Sequence, residues 1–394
     1  MIIHTRPSTN RVRFSALYIA AMMALIPLFN LQVMGVGFFL LMGGGLIMLM
    51  PFTYRNLKIK QTLFLYGLFA AYDLLTFAWA PGNPDMFQYI KMIAYFLLIT
   101  TVAFNAVEVK TIMLFQCIMG VVVAGILCTT TTTMMAQGEY LTDTKRAVLQ
   151  VGDELIDPNY AAMLMFPAFI YATKMLLSGK KLYERAIHAV ILVICLYALL
   201  RSGTRGGLLA IIAGALFYFF SGKQGMSKRI GIAIFVLIGG AILFPYIFEL
   251  LPETVQRRFS IEALLRNGGS GRSDIWKACI AGVGDSLMTL LFGHGKGATM
   301  TALGVASHNF LLDQLYNGGI LALVLLSMFI GTLFAKAGRN GNVYAKSLLV
   351  AYFAMMMTVS VGANMYFWTG MAFVVLLSNW NEETLNRSLW NGEW

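Results

Sequence analysis

Three arginines with polar or glycine-rich neighbours, and one histidine followed by an asparagine, are the residues of this chain whose types and spacing suit chemistry. Arg205 lies in Ser202-Gly203-Thr204-Arg205-Gly206-Gly207, Arg272 in Gly271-Arg272-Ser273-Asp274-Ile275-Trp276, and Arg146 beside Lys145 in a shorter polar stretch. A guanidinium grips phosphate oxygens in bidentate fashion. Glycines beside Arg205 and Arg272 let a bulky anion approach the backbone, and a helix starting at Gly206 would turn its positive end toward the same place. The plainer alternative for each arginine is a lipid head group or a loop salt bridge. His308, with Asn309 beside it, has the titration range for proton abstraction near neutral pH; a structural histidine is its competing reading. Asp157-Pro158-Asn159 reads first as a helix start, since proline and an acidic residue are natural there.

Arg272, His308 and Asn309 fall in one segment. Pro252 to Asn309 is polar, basic and rich in glycine, carries Arg257, Arg258, Arg266, Arg272, Lys277 and Lys296, and is set between apolar runs. Within it Ser260 to Leu265 and Ser273 to Val283 have helix-like apolar spacing, broken by Gly268, Gly269 and Gly271, with Ser273 as a cap. These short amphipathic helices would lie along a membrane surface, with Ile275, Trp276 and Cys279 or Ile280 turned to lipid or to the helix bundle. The alternating glycines around His294 (Phe292 to Gly297) fit a tight turn. A smaller polar loop, 134–158, carries Arg146 and Asp157.

The surroundings are those of a membrane protein. Hydrophobic residues make up 58% of the chain and charged ones 12%, and the mean hydropathy is +0.72, outside the soluble globular range. Runs long enough to span the hydrocarbon core, about 20 residues each, fall at Phe14–Gln32, Val33–Phe52, Thr62–Ala80, Ile90–Ala106, Ile112–Thr131, Tyr160–Leu177, Ala186–Leu200, Gly207–Ser221, Ile230–Phe248, Phe310–Ala335, Tyr344–Gly362 and Asn364–Ser378. The expected fold is therefore all-α: a polytopic membrane protein of about 12 transmembrane helices forming a single transmembrane domain over 1–394, with one longer outer loop (252–309) and one shorter (134–158).

Most of the 29 lysines and arginines fall on one side of this arrangement when the N-terminus is cytoplasmic, as the positive-inside rule requires. Both termini then lie in the cytoplasm and both polar loops outside. Topology accounts for most of the +11 formal charge, so no nucleic-acid partner is expected. The N-terminal arginines precede an apolar run without a small-residue cleavage site, which reads as a retained first helix. Three of the four cysteines lie in expected spans and the four histidines are widely scattered, so the sequence suggests neither a disulfide framework nor a metal site, and no cofactor. Asp73, the carboxylate clearly inside a span, is expected to face the bundle interior or an outer cavity.

Arg258-Phe259-Ser260, Gly271 to Trp276, Phe292-Gly293-His294-Gly295, His308-Asn309 and Gly318-Gly319, with Thr204 to Gly207 and Asp157-Pro158-Asn159, together resemble the O-antigen ligase and polymerase family of bacterial membrane glycosyltransferases, over about residues 146 to 320. The resemblance implies a GT-C-like enzyme of the cytoplasmic (inner) membrane with its active site on the periplasmic or extracellular face. It would transfer a glycan from an undecaprenyl-diphosphate-linked oligosaccharide to an acceptor hydroxyl, by inversion and without metal. His308 would deprotonate the acceptor, and Arg205 and Arg272 would hold the diphosphate. Arg146, Asp157, Asn159, Arg258, Trp276 and Asn309 complete the expected binding set. Other expected partners are membrane lipids and a chain-length regulator. The acceptor is either another carrier-linked repeat, as in a polymerase, or lipid A-core, as in a ligase. The ligase pattern continues His-Asn, nine residues, Gly-x-x-Gly; here Gly319 fits but position 322 is alanine, which leans toward polymerase. A polysaccharide flippase or ion-coupled transporter is the rival from another class, and would be expected to carry several ionisable groups near the midplane.

Overall fold

The computed structural model describes residues 9–29, 31–33, 36–53, 61–105, 109–130, 133–135, 145–179, 181–221, 231, 238–239, 242, 245–260 and 272–382. It is mostly helical. In chain order the described helices are α1 (Thr9–Ala24), α2 (Phe38–Thr53), α3 (Gln61–Leu75), α4 (Met86–Asn105), α5 (Val109–Thr129), α6 (Pro158–Ser178), α7 (Leu182–Ser202), α8 (Arg205–Ser221), α9 (Glu253–Phe259), α10 (Arg272–Val283), α11 (Leu287–Phe292), α12 (Ala298–Leu303), α13 (Phe310–Arg339), α14 (Val343–Met356) and α15 (Met365–Leu377). A 3-10 turn, Thr76–Trp79, continues α3.

Among the described residues, five helical stretches are long and apolar enough to cross a bilayer: Gln61–Trp79, α5, α6, α7 and α13. Shorter apolar helices include α8, α14 and α15. This agrees with a polytopic membrane protein. The expected span Ile230–Phe248 and the expected helix Ser260–Leu265 fall mostly outside the described residues.

Among the described residues three small antiparallel strand pairs depart from an all-helical chain: β1 (Gln32–Val33) with β2 (Val36–Gly37), β3 (Thr133–Met135) with β4 (Lys145–Ala147), and β5 (Leu149–Val151) with β6 (Glu154–Ile156). The last has a physical signature in the sequence. Val151 pairs with Glu154 across the two-residue turn Gly152-Asp153, and Gly152 takes φ 61°, the left-handed geometry that tight hairpins need. Backbone outside a helix must still pair its polar groups, and a hairpin does so locally.

The chain folds as two compact units. The first comprises residues up to 116, 274–349 and from 356 onward. Its core gathers aromatic rings from four helices: Tyr66 of α3 lies 4.1 Å from Phe96 of α4, 5.5 Å from Phe329 of α13 and 5.3 Å from Trp368 of α15, ring centre to ring centre. The buried Tyr95 hydroxyl is 2.7 Å from that of Thr369. Such hydroxyl pairs and ring contacts hold helices together where lipid is as apolar as leucine.

The second unit comprises residues 117–273 and 350–355. Its central helix α6 packs against α7 and α8. Gly207 of α8 meets Ala162 of α6 so closely that an added Cβ would stand 2.6 Å from the Ala162 methyl. Small residues at this crossing bring the N-terminal ends of α6 and α8 side by side.

Candidate functional site

In the second unit, four arginines converge around the α7–α8 turn. Gly203 ends α7 in the left-handed conformation, φ 62°, which lets the chain reverse directly into α8. A Cβ at Gly203 would lie 3.2 Å from Arg146 Cδ and 3.5 Å from Arg258 Cδ. The stems of these two arginines, from β4 and α9, thus lie over the turn. Arg205 donates from its guanidinium to the Arg258 carbonyl. Arg272, the first residue of α10, shares charge interactions with Arg258, Arg205 and Asp157.

Helical rotation explains why Arg258, and not Arg257, joins the group. Val255 of α9 is buried with Leu200 and Leu251, and Phe259 and Tyr197 pack against them. Successive helical residues turn by about 100°, so Arg257 is directed away, where it pairs with the exposed Glu253 at 2.6 Å. Arg201 is also diverted: it donates to the carbonyls of Cys128 and Thr130, closing the end of α5.

The cluster is rich in positive charge. Burial, then the charges of Arg146, Arg205 and Arg272, push the Arg258 guanidinium down to about 10, with Asp157 acting in the opposite sense. Arg146 and Arg272 are lowered too, first by burial, with Asp157 opposing. The Nε atoms of Arg146, Arg205 and Arg258 are buried and have no hydrogen-bond partner among the described residues. Buried donors left unmatched are costly, and an anionic ligand would relieve both the repulsion and the missing bonds.

Asp157 and Asn159 have identifiable structural duties here. The Asp157 carboxylate accepts from the Asn159 amide at 2.7 Å, capping α6. Asn159 Oδ1 accepts from the Thr204 hydroxyl at 2.6 Å, and Thr204 Oγ1 accepts from the Gly207 amide at 3.1 Å. This relay fixes the starts of α6 and α8 relative to each other, and with them the base on which Arg205 stands.

The histidine lies in the first unit. Asn309 caps α13, its Oδ1 accepting from the amides of Leu311 at 3.1 Å and Leu312 at 3.2 Å. His308, just before it, is exposed and has φ 52°, the positive value found at no other non-glycine residue among those described. That conformation costs about 1–3 kcal/mol and persists only where neighbours enforce it. Here Trp276 Nε1 donates to the Ser307 carbonyl at 2.9 Å, and Ser307 Oγ is within 3.0 Å of both the Asn309 amide nitrogen and the Asn309 carbonyl oxygen. Trp276 is thus anchored to the His308 turn, where the sequence left a choice between lipid and bundle.

The glycine-rich turn 293–297 supports the same helix. Gly319 breaks α13 with φ 67° and ψ −169°, which strips helical partners from the carbonyls before it. The amides of His294 and Gly295 replace them, bonding Tyr316 O and Asn317 O, each at 2.9 Å. The His294 ring stacks on Tyr316 and its Nε2 donates to the Gly282 carbonyl at 2.9 Å. His294 is a structural residue, as the glycine pattern suggests. Lys296 turns inward, with Nζ 2.6 Å from both oxygens of Asp73 and 4.1 Å above the Tyr89 ring. Asp73 does face the bundle interior, and its partner comes from the long polar segment.

Sequence reasoning passes over Asp313, in the first turn of α13, whose carboxylate lies within hydrogen-bonding reach of Ser307 and interacts with the charges of Lys296 and His308. A carboxylate five residues after the candidate base, at the start of a span, is the signal that would have found it. No group of three or more metal-ligating side chains occurs among the described residues.

Residues 190–327 match the family model described as O-antigen ligase. The match takes in Arg205, Arg258, Arg272, Trp276, His308 and Asn309. No curated protein sequence matches the chain. Among solved structures, a chain from work on "Structural coordination of polymerization and crosslinking by a peptidoglycan synthase complex" is similar at 13% identity and TM-score 0.49, over 80% of this chain and 96% of that one.

Proposed function

We propose, from the match of residues 190–327 to the family model described as O-antigen ligase, that this membrane protein is a glycosyltransferase whose donor is a glycan on a lipid diphosphate of the undecaprenyl type. The observation that carries the reading is the arginine cluster. Of the four guanidinium groups, those of Arg146, Arg258 and Arg272 interact with the carboxylate of Asp157, and those of Arg146, Arg205 and Arg258 hold buried Nε donors unmatched among the described residues. A diphosphate ester supplies both the negative charge and the acceptor oxygens.

In the proposed reaction His308 takes the proton from the acceptor sugar hydroxyl as its oxygen attacks the anomeric carbon of the donor. The new glycosidic bond forms as the anomeric C–O bond to the diphosphate breaks. The electron pair leaves on the phosphate oxygen, where Arg205, Arg272 and their neighbours offset the charge. Attack opposite the leaving group inverts the anomeric centre. The chemistry asks nothing of a nucleotide sugar.

We take polymerisation, with another carrier-linked repeat as acceptor, as the first reading. Ala322 supports it, standing where the ligase pattern has glycine; its methyl would be 2.6 Å from a Cβ at Gly318, so it occupies the packing space behind the helix break. The ligase reading is favoured by the description of the matching family model. Deleting the gene separates them on a polysaccharide gel. A lost polymerase leaves single repeats on lipid A-core, and a lost ligase leaves the core without polymer. In reconstituted vesicles His308→Ala is expected to abolish transfer while the protein remains folded in the membrane, and transfer at the wild-type rate would remove His308 as the base.

A further inference from the structure

The turn that carries His308 is held at both of its peptide planes. A residue's φ and ψ state how the plane before it and the plane after it are rotated about its Cα. The plane before His308 contains the Ser307 carbonyl, which accepts from Trp276 Nε1 at 2.9 Å. The plane after it contains the Asn309 amide, which donates to Ser307 Oγ at 3.0 Å, while that hydroxyl donates to the Asn309 carbonyl at 2.8 Å. Ser307 and Asn309 are buried, and His308 between them is exposed. Trp276 is itself fixed by the seating of α10: Cys279 and Val283 are buried with Tyr316 and Ala298, and Ile275 packs against them. Gly282 lets α10 close on α13, since a Cβ there would stand 2.8 Å from the Tyr316 ring.

We infer that Trp276 is a positioning residue for His308: its indole N–H, with Ser307 Oγ on the other side, holds the backbone at the φ of 52° from which the imidazole meets the acceptor hydroxyl. An L-residue released from such restraints returns to negative φ. That rotation re-aims Cβ, and the imidazole with it, and a small misplacement of a catalytic group costs much of its rate. Strain kept by bonds from two sides is the pattern of a conformation held for a purpose. The indole itself touches no reacting atom, a role distinct from the binding one that the family resemblance implies for Trp276. The inference rests on the reading of His308 as the base.

The test joins solid-state NMR of the full-length protein, isotopically labelled at histidine in lipid nanodiscs, to transfer kinetics. The chain has four histidines, and the resonances lost in His308→Ala identify the one in question; its Cα and Cβ shifts report the backbone angle. Trp276→Phe keeps an aromatic ring and removes the N–H donor. In it the His308 shifts are expected to move from left-handed values toward those of negative φ, and kcat to fall about tenfold with KM for donor and acceptor unchanged. Ser307→Ala frees the other plane and is expected to do the same, so it decides the matter should Trp276→Phe fail to accumulate. His294, whose ring bonds the Gly282 carbonyl of α10, should keep its shifts, and equal movement of both histidines would mean a general loosening of α10 and overturn the inference. So would His308 shifts that stay in place, or a loss confined to KM, which would make Trp276 a substrate contact. Wild-type transfer by His308→Ala would overturn the reading beneath it instead, and the shifts would still show whether the indole holds the turn.

Discussion

Lys296 and Asp73 form a bidentate ion pair inside the helical unit, with Nζ 2.6 Å from each carboxylate oxygen and the two residues 2% and 8% exposed. They are 223 positions apart, and the pair fastens the glycine-rich turn to α3. Removing one partner leaves an uncompensated buried charge, which costs about 3–5 kcal/mol. Asp73→Asn and Lys296→Met are each expected to lower the thermal unfolding midpoint strongly in detergent. The double variant Asp73→Asn/Lys296→Met should recover most of the loss, and equal damage in all three would deny that the charges are coupled.

Arg258 sets stability against binding. Arg258→Met keeps an unbranched stem to lie over Gly203 but removes a charge crowded by three others, so the ligand-free protein should melt a few degrees higher while donor binding weakens. The pH dependence has a definite sign. Burial and the neighbouring arginines lower Arg258 to about 10, well below the usual guanidinium range, so above about pH 10 the unfolded chain binds more protons and wild-type stability rises with pH. That rise should be absent from Arg258→Met in the same scan.

Arg272 lies among guanidinium groups in a half-buried site, where fork geometry matters as much as charge. Arg272→Lys is expected to reduce glycan transfer about 10²-fold or more, with little change in melting temperature. Near-normal turnover would reduce its role to charge attraction.

Gly319 tolerates no side chain. An added Cβ would stand 2.4 Å from the backbone carbon and oxygen of Leu291, and the backbone has φ 67°. Gly319→Ala is expected to cost about 3 kcal/mol or more and to release the 293–297 turn, seen as faster amide exchange at His294 and Gly295. Unaltered protection at both amides would show that the break does not depend on the absent side chain.

The spacing of apolar runs located the long helices found among the described residues, because hydrophobic length is a local property. α5, α6, α7 and α13 fall within a few residues of their expected runs. The helix start at Asp157 was legible for the same reason, since a cap bonds to amides two or three residues away. The pairing of β3 with β4 was not, because pairs such as Thr133 with Ala147 join residues with no shared local pattern.

The division extends to the candidate site. The sequence alone determined which residue types were available, through the glycine-flanked arginines, His308-Asn309 and the glycine-rich turn, because composition and short spacing carry that information. Only the tertiary structure decided how they are used. It set Arg258 over Gly203 and sent Arg257 and Arg201 elsewhere, since helix rotation and packing choose among neighbouring arginines that look alike in sequence. It also joined Asp73 to Lys296, because a buried charge must find its counter-charge in space, whatever their separation along the chain.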